Sequence, residues 1–373
     1  MGAITRGFAN NILSGGTIDA TDGLNGTVPS SNITDSSISS VTAFPASVGD
    51  FVQSTASDPS PATLGDVWYN NATYAFKLAA VTTTGTWATG GSLNTSRQGI
   101  MGTGTQTAAI GFGGFGQFPA PTSNAAEFYN GSSWTNGPNL ATAVAFGVGT
   151  GTQTAALGAG GFTSIAPQVF ASTAQIYNGT SWTAITSLPS VRSDSGAAGT
   201  QTAALIFGGN TPGNVLISTT DKWNGTSWTN TGSLGTARTT MGTGTQTAAL
   251  AMSGYTGASP TETTNVEAFN GSTWSPNSNT PTAVSNAGTA TQGTQTAALI
   301  FGGSGFLTTT QLYNGVSWSN QGALSTGRRF LAGAGTNSSA LGFGGYATGS
   351  VITDSTEEFT GAGAPVTQTI TTS

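Results

Sequence analysis

The 373-residue sequence contains no cysteine and no histidine, and only 6% of its residues are charged. Without cysteine there are no disulfide bonds, and without either residue the usual zinc ligands are missing. Ser-His-Asp and Cys-His catalysis are excluded for the same reason. The net charge of −6 argues against nucleic acid, because phosphate binding needs clustered Lys and Arg. We predict no metal, no cofactor and no nucleic-acid partner.

Long hydrophobic runs are also absent. No apolar stretch approaches the about 20 residues that a membrane-spanning helix needs, so we expect no membrane insertion. Glycine, by contrast, occupies 56 positions, and its ordered recurrence with Trp and Tyr indicates many short strands joined by tight turns. These features favour an all-β fold.

A repeat covers most of the chain. A Thr-Gln-Thr-Ala-Ala block returns at intervals of 47, 48, 45, 49 and 42 residues, with its glutamine position at Gln106, Gln153, Gln201, Gln246, Gln295 and, in diverged form, Asn337. In five copies an aromatic residue before Asn-Gly follows, and then a tryptophan. This period is typical of propeller blades.

Each repeat accommodates four strands, a to d. Strand a ends at Thr-Gln-Thr, strand b is an apolar run ended by glycine, strand c carries the aromatic residue, and strand d begins at the tryptophan. Asn-Gly between strands c and d favours a two-residue type I′ turn with positive φ at both residues. The tryptophans and strand-c aromatics are predicted to fill the core between blades.

The sixth repeat has no tryptophan after Phe359, whereas Trp87 lies upstream without strands a to c of its own. We therefore predict six blades over residues 86–361, with the Trp87 strand completing the last blade. This 3+1 closure removes the open sheet edges of a linear array.

The glycine doublet, the aromatic residue and the tryptophan, recurring at this period, resemble the kelch repeat of β-propellers. The fourth copy departs with Ser253-Gly254, and the sixth lacks its own tryptophan. The resemblance implies the fold and leaves function open, since kelch propellers include enzymes and binding scaffolds.

The flanking segments lack the repeat. Residues 1–63 contain too little apolar surface for a core, so we predict an extended arm that docks on partners. Residues 64–85 are predicted to form a hairpin and linker, with strands at 66–69 and 74–78. Residues 362–373 are predicted to be a C-terminal tail.

Charges follow the repeat. Where strand a begins with arginine, an acid stands two residues before the strand-c aromatic; where it begins with valine, glutamine stands there. Because an unpaired buried charge is costly, the arginine and the acid should be replaced together. The pattern therefore predicts a structural ion pair with bidentate geometry inside each blade that has the arginine. The four pairs are Arg97–Glu127, Arg192–Asp221, Arg238–Glu267 and Arg328–Glu357. The uncharged counterparts are Val144 with Gln175 and Val284 with Gln311.

The loops between strands b and c vary most, and divergent loops on a constant scaffold are typical of a binding face. An aromatic residue stands at or near the start of five of them. These candidate ligand-binding residues are Phe115, Phe162, Tyr255, Phe306 and Tyr346. The sequence leaves two roles for these residues: stacking on sugars, or filling gaps between blades.

Catalysis is not expected. Six-bladed sialidases bind a carboxylate with three arginines, but the arginines here have structural partners and the sialidase Asp-box is absent. A pair of glycosidase carboxylates is the remaining enzymatic alternative. No catalytic residue is assigned.

Short segments resemble structural proteins of tailed-phage virions. They are Ala9-Asn10-Asn11-Ile12-Leu13, Asp22 to Pro29, and Asp66-Val67-Trp68-Tyr69-Asn70, the last similar to a motif of tail and fibre proteins. The resemblance implies a non-enzymatic virion protein that docks on other virion proteins through its arm and contacts a host-surface glycan or protein. A purely architectural or decoration role, a secreted bacterial adhesin and a homo-oligomer stay open.

Overall fold

The computed structural model describes residues 53–58, 67–81, 84–118, 120–257, 262–363 and 365–369. They divide at residues 83–84 and 362–363 into two compact units. All regular structure in the described residues is β-strand, and no helix there is long and apolar enough to cross a membrane. Most of the predicted arm at residues 1–63 lies outside the described residues.

The smaller unit is one four-stranded sheet. Its strand β1 (Gln53–Thr55) pairs in parallel with β2 (Val67–Asn70), and β2 pairs antiparallel with β3 (Ala75–Val81). β3 pairs antiparallel with the last strand of the chain, β35 (Pro365–Thr369). The predicted hairpin corresponds to β2 and β3. The segment predicted to be a C-terminal tail instead contributes a strand to this sheet.

Asp58 joins the strand β2 to the residues after β1. Its Oδ1 accepts hydrogen bonds from Asn70 Nδ2 at 2.8 Å and from Trp68 Nε1 at 3.0 Å. These two bonds, with that of Asn70 first, lower the pKa of Asp58, since hydrogen bonds to a carboxylate favour its charged form. The Trp68 and Asn70 side chains of the phage-like segment are therefore held in place by a carboxylate.

The larger unit, residues 84–362, contains six four-stranded antiparallel sheets, here numbered 1 to 6. In sheets 1 to 5 the strands run a-b-c-d in chain order. Sheet 1 has β5 (Met101–Thr105), β6 (Ala108–Phe112), β7 (Ala126–Tyr129) and β8 (Trp134–Asn136); sheet 2 has β9 (Val148–Thr152), β10 (Ala155–Ala159), β13 (Ala174–Tyr177) and β14 (Trp182–Ile185); sheet 3 has β15 (Gly196–Gly199), β16 (Ala204–Phe207), β19 (Thr220–Trp223) and β20 (Trp228–Thr231).

Two further sheets follow the same order. Sheet 4 has β21 (Met241–Gly244), β22 (Ala249–Tyr255), β23 (Glu262–Phe269) and β24 (Trp274–Asn277); sheet 5 has β25 (Gly288–Thr289), β26 (Ala298–Phe301), β27 (Thr310–Tyr313) and β28 (Trp318–Gln321). Short strands in the b–c loops are β11 (Phe162–Ile165) with β12 (Gln168–Phe170), and β17 (Asn210–Thr211) with β18 (Val215–Leu216).

Sheet 6 takes its strands from both ends of the larger unit. Three are β30 (Ala332–Gly335), β31 (Ser339–Phe343) and β34 (Thr356–Thr360), and the fourth is β4 (Thr86–Thr89), which pairs antiparallel with β34. In this register Trp87 faces Phe359, as Trp134 faces Tyr129 in sheet 1. The same stretch of chain also forms a separate small sheet. It consists of β29 (Arg328–Arg329), β32 (Tyr346–Ala347) and β33 (Val351–Ile352).

The turns between strands c and d differ from the prediction. Tyr129 pairs with Trp134, so four residues form the turn, and only the glycine has positive φ, +94° at Gly131. Asn130 Oδ1 accepts the main-chain N–H groups two and three residues later, at 3.0 and 2.9 Å. The predicted type I′ turn is wrong. The asparagine is repeated because its side chain caps the turn.

The tryptophans pack against the preceding sheet. Trp134 lies 4.7 Å from Phe343 of sheet 6 and Trp182 lies 4.8 Å from Phe112 of sheet 1, measured between ring centroids. Trp87 lies 4.8 Å from Phe301 of sheet 5. Such aromatic contacts add to the free energy gained from burying apolar surface between sheets.

The repeated glutamine also binds the preceding sheet. Gln153 Nε2 donates to the carbonyls of Ala109 (2.9 Å) and Tyr129 (2.7 Å) in sheet 1. Gln246 and Gln295 make the same pair of bonds to sheets 3 and 4, and Gln201 reaches Tyr177 in sheet 2. Gln106 of sheet 1 donates to Ala340 (3.0 Å) and Phe359 (2.7 Å), which belong to sheet 6.

We expect Gln153→Ala to lower the free energy of unfolding by about 1–3 kcal/mol, because two main-chain carbonyls between sheets lose their donor. Chemical denaturation of the full chain measures this change. Asn337→Ala is the matched control, since the described residues give Asn337 no side-chain bond of this kind. Equal effects of the two substitutions would contradict the inter-sheet role.

Candidate functional site

The structure brings all four predicted Arg–carboxylate pairs together. Arg97 Nη2 donates to Glu127 Oε1 at 2.7 Å, and both side chains are 1% exposed. The corresponding distances are 2.5 Å for Arg192–Asp221 and 2.8 Å for Arg328–Glu357, and Arg238 contacts Glu267 in the same way. These arginines are consequently buried structural groups.

Each guanidinium also bonds main-chain carbonyls, and in sheets 1 and 6 these carbonyls stand after strand b and before strand c. Arg97 Nη1 donates to Gly113 (2.7 Å) and Ala125 (2.9 Å). Arg328 Nη1 makes the equivalent bonds to Gly344 and Ser355. Gly113 is the first glycine of the doublet and has φ of +68°, a conformation that costs glycine little and turns its carbonyl to the guanidinium.

The predicted bidentate geometry is wrong. Each pair has one N–O contact, and in three sheets the second carboxylate oxygen accepts a main-chain N–H three residues before the arginine. The donors are Asn94 to Glu127 (2.6 Å), Gly235 to Glu267 (2.6 Å) and Ser325 to Glu357 (2.7 Å). In sheet 3 that position is Pro189, which has no N–H, and the acid there is the shorter Asp221.

Glutamine replaces this arrangement in sheets 2 and 5. Gln175 Oε1 accepts from the Thr142 N–H and its Nε2 donates to the Thr142 carbonyl, both at 2.9 Å. Gln311 accepts from Thr282 at 2.9 Å. The amide satisfies the loop before strand a without any charge, and Val144 and Val284 fill the arginine positions as buried apolar groups.

Burial lowers the pKa of Arg97, Arg192 and Arg328, and the paired carboxylates oppose this shift. The low dielectric of the interior disfavours an unpaired charge, while an adjacent opposite charge favours it. Each arginine therefore depends on its acid to remain charged at low cost.

The a strands of the six sheets line one cavity, here called the channel. At its start stand six repeat-equivalent residues, two positions after each Arg or Val. This collar consists of Gly99, Phe146, Asp194, Thr240, Asn286 and Phe330. Five of them have positive φ, between +53° and +59°, which costs non-glycine residues about 1–2 kcal/mol each.

Main-chain hydrogen bonds run around the collar from sheet to sheet. The Phe146 N–H donates to Gly99, Asp194 to Phe146, and Thr240 to Asp194, at 2.8, 3.1 and 3.3 Å. Phe330 donates to Asn286 at 2.8 Å, and Gly99 donates to Phe330 at 3.0 Å. The last bond joins sheet 1 to sheet 6. These bonds hold the unfavourable backbone conformation and fix the direction of the collar side chains.

Above the collar lies a cavity of about 500 Å³, the funnel. Its lining includes the contiguous aromatic rings of Phe146, Phe162 and Phe330. The other lining residues are mostly polar: Gln168, Asp194, Asn210, Asn214, Thr239, Tyr255, Glu262, Ser285, Asn286 and Ser304. A smaller cavity of about 140 Å³ continues inside the channel, lined mostly by small residues of the a strands.

Gln292 lies across the interior of the channel. It belongs to a two-residue insertion in the sheet-5 repeat, and its Nε2 donates to the Gly151 carbonyl of sheet 2 at 2.5 Å. Its own N–H donates to Gly335 of sheet 6 at 2.8 Å. A side chain that reaches across to another sheet narrows the channel, here at the ends of the a strands that lie away from the collar.

Asp194 is the acid of the collar. Ser193 Oγ donates to Asp194 Oδ2 at 2.7 Å. Burial raises the pKa of Asp194 to about 6, and the Ser193 bond acts in the opposite direction. Glu262, whose Oε1 accepts from Ser285 Oγ at 2.8 Å, is the other acid lining the funnel. In the described ranges no three Asp or Glu side chains are grouped closely enough to hold a metal ion.

The five predicted ligand-binding aromatics separate into three groups. Phe162 and Tyr255 line the funnel. Phe115 is buried against Phe146 with ring centroids 5.6 Å apart. Phe306 and Tyr346 lie 5.8 Å from each other and both stack on Arg329. Phe115, Phe306 and Tyr346 are not among the residues that line the funnel, and their contact with a ligand stays a prediction.

Sequence reasoning missed the collar. Its residues differ in type from repeat to repeat, from glycine to phenylalanine, so no motif marks them. The available signal was their constant position two residues after the Arg or Val. A search for residue types that vary at one fixed position, two residues after the structural Arg or Val, would have identified Phe146, Asp194, Asn286 and Phe330.

We expect Arg97→Val to destabilise the protein by about 3–5 kcal/mol, since it leaves the Glu127 carboxylate buried without its partner. Arg97→Val with Glu127→Gln should recover much of this loss. The new amide can bond the main chain of Thr95, which corresponds in the repeat to Thr142 beside Gln175. Equilibrium unfolding of the single and double variants measures the coupling, and a coupling near zero would show that the pair is incidental.

The raised pKa of Asp194 predicts a pH dependence. A carboxyl group whose pKa is raised on folding contributes stability below its unfolded value of 3.8, and this contribution is lost as pH rises through about 6. Asp194→Asn should therefore raise the thermal midpoint at pH 8 and leave it unchanged at pH 4. Asp354→Asn serves as the control. A similar effect of Asp194→Asn at both pH values would contradict this assignment.

No protein-family model and no curated protein matches the chain. Among the solved structures that match is the structure of YjhT, with a TM-score of 0.58 and 14% sequence identity, covering 71% of this chain and 95% of that chain. YjhT is a kelch-like, β-propeller-like protein, and at this identity the likeness concerns the fold alone. The sheets and this likeness together show that the chain has an all-β, propeller-like fold.

Proposed function

We propose that residues 84–362 form a six-bladed β-propeller closed in 3+1 fashion, and that the protein is a non-enzymatic phage virion protein whose funnel binds a host-surface glycan. Closure is supported by three independent contacts between the first and sixth sheets: the Gln106 bonds, the Gly99–Phe330 bond and the packing of Trp134 on Phe343. The pairing of β4 with β34 supplies the fourth strand of the last blade.

The observation that carries the binding role is the mixed aromatic and polar lining of the funnel. Phe146, Phe162 and Phe330 form one contiguous group of aromatic rings, and amides, hydroxyls and carboxylates make up most of the remaining lining. A sugar ring has the complementary character, with C–H groups on its face and hydroxyls around its edge. The volume of about 500 Å³ lies in the range of small-molecule sites and suits one or two sugar residues.

The rigidity of the collar favours binding. Its residues are joined by five main-chain hydrogen bonds between neighbouring sheets, so ligand binding orders few additional groups. Preorganisation of this kind lowers the entropic cost of association.

The non-enzymatic assignment is supported by the chemistry that the site offers. The sequence contains no histidine, and the four repeat arginines are buried in ion pairs. Of the two acids lining the funnel, Glu262 bonds Ser285 and Asp194 bonds Ser193. Both acids are thus available as hydrogen-bond acceptors for hydroxyl groups.

The virion setting is supported by the phage-like segments of the sequence. One of them, residues 66–70, includes the strand β2, whose Trp68 and Asn70 are fixed by Asp58. Docking on other virion proteins is assigned to residues 1–63. Mass spectrometry of purified virions should detect the protein, and its absence from the particles would overturn this part of the proposal.

We expect Phe146→Gly to weaken binding of neutral oligosaccharides by about ten-fold, which corresponds to about 1.4 kcal/mol. Glycine occurs at the equivalent collar position Gly99 and accepts positive φ, so the fold should be kept. Titration calorimetry after a glycan array measures the affinity. Phe118→Ala removes an exposed ring outside the funnel and is the control; equal affinities of both variants would refute binding in the funnel.

A further inference from the structure

Arg329 differs from every other arginine in the described residues. Arg97, Arg192, Arg238 and Arg328 each have a carboxylate within salt-bridge distance, whereas no described carboxylate lies that close to Arg329. Its Nε is buried and bonds no described atom, a feature that it shares with Arg97, Arg192 and Arg328. A guanidinium left without an anion is costly when water is partly removed from it, so the position calls for a chemical explanation.

Three aromatic rings surround the Arg329 guanidinium. Its Cζ lies 4.9 Å from the ring centroid of Phe330, 5.3 Å from that of Phe306 and 5.4 Å from that of Tyr346. The backbone of Arg329 pairs with Tyr346 in the small sheet. Its neighbour Arg328 is held in the buried ion pair with Glu357. Successive side chains of a strand point to opposite faces, so Arg329 is directed away from that pair.

The fold does not require a charge at this position. The equivalent residues of the other five repeats, each directly after the strand-a Arg or Val, are Gln98, Ala145, Ser193, Thr239 and Ser285. All of them are uncharged, and they make comparable main-chain pairings: Gln98 with Phe115, and Ala145 with Phe162. The positive charge of Arg329 is therefore an addition to the common architecture.

Phe330 connects this cluster to the funnel. Its ring contacts Arg329 and also lines the funnel, so the guanidinium and the cavity are separated by the width of one ring. A ligand that occupies the funnel and extends one sugar residue over Phe330 would bring a substituent to Arg329.

We propose that Arg329 binds the carboxylate of an acidic sugar, such as a hexuronic acid, within the glycan that occupies the funnel. This inference rests on the proposed function and names its ligand class. The planar guanidinium matches a carboxylate in geometry and charge. The three rings hold the side chain in place, so little rotamer entropy is lost on binding. A single cation in a chain of net charge −6 suits an isolated carboxylate better than a polyphosphate.

The test uses the full-length protein and titration calorimetry with three ligands. They are a tetrasaccharide of alternating glucuronic acid and N-acetylglucosamine, the same tetrasaccharide with its carboxylates methyl-esterified, and glucose 6-phosphate. We expect the acid form to bind at least ten-fold more tightly than the ester. Arg329→Gln should reduce this ratio to about one without changing the affinity for the ester.

Lys222→Gln is the matched control. Lys222 also lies over an aromatic ring, 5.3 Å from the centroid of Phe269, and its removal changes the net charge equally, so the acid-to-ester ratio should be unaffected. Equal affinity for acid and ester, no binding of the tetrasaccharide, or an unchanged ratio in Arg329→Gln would each overturn the inference. Tighter binding of glucose 6-phosphate would overturn the carboxylate class.

Failure of this inference and failure of the proposed function give different results. If neutral oligosaccharides bind and lose affinity in Phe146→Gly, the funnel is a glycan site even when Arg329 has no preference for the acid form. If Phe146→Gly has no effect but the acid preference depends on Arg329, the anion site stands and the funnel proposal falls.

Discussion

The bond between a glutamine amide and two carbonyls of the preceding sheet is the interaction on which the larger unit depends. It is repeated at four of the glutamines, and in each case it satisfies main-chain groups that a free-standing sheet would leave to water. Together with the tryptophan that packs on the preceding sheet, the bond sets the position of sheets 1, 2, 4 and 5 on their neighbours. The a strands are thereby brought around one channel, where the collar forms.

Along each repeat, the residues that hold the fold are separate from the collar residue that faces the proposed binding site. The Arg–carboxylate pair, or its Val–Gln replacement, fixes the entry of strand a, and the collar residue follows two positions later. Because the framework is held by the Arg–carboxylate pairs in four sheets and by Gln175 and Gln311 in the other two, the collar can carry Phe146, Asp194 or Asn286 without loss of the fold. Variation is thus concentrated where side chains face the funnel, which is the arrangement expected of a binding scaffold.

Strand positions, the four ion pairs and the pairing of Trp87 with the last repeat were predictable because they depend on residues repeated at a fixed period. The turn type was not, since it depends on whether Asn130 uses its side chain or its backbone to close the turn. The collar was also missed, because its unusual φ values follow from bonds between sheets rather than from residue type. Similarly, the contact of Arg329 with Phe306 joins residues from two repeats, and no spacing within one repeat indicates it.

Closure of the ring through β4 is the central structural claim, and the absence of cysteine allows a direct measurement. Thr86 and Thr360 are exposed neighbours across the β4–β34 register. In the full chain, Thr86→Cys with Thr360→Cys should give an intramolecular disulfide in nearly all molecules under mild oxidation, because the two positions lie within bridging distance. Thr86→Cys with Thr152→Cys should not. Formation of only intermolecular dimers by the first variant, or equal cross-linking in both, would contradict a closed six-bladed ring.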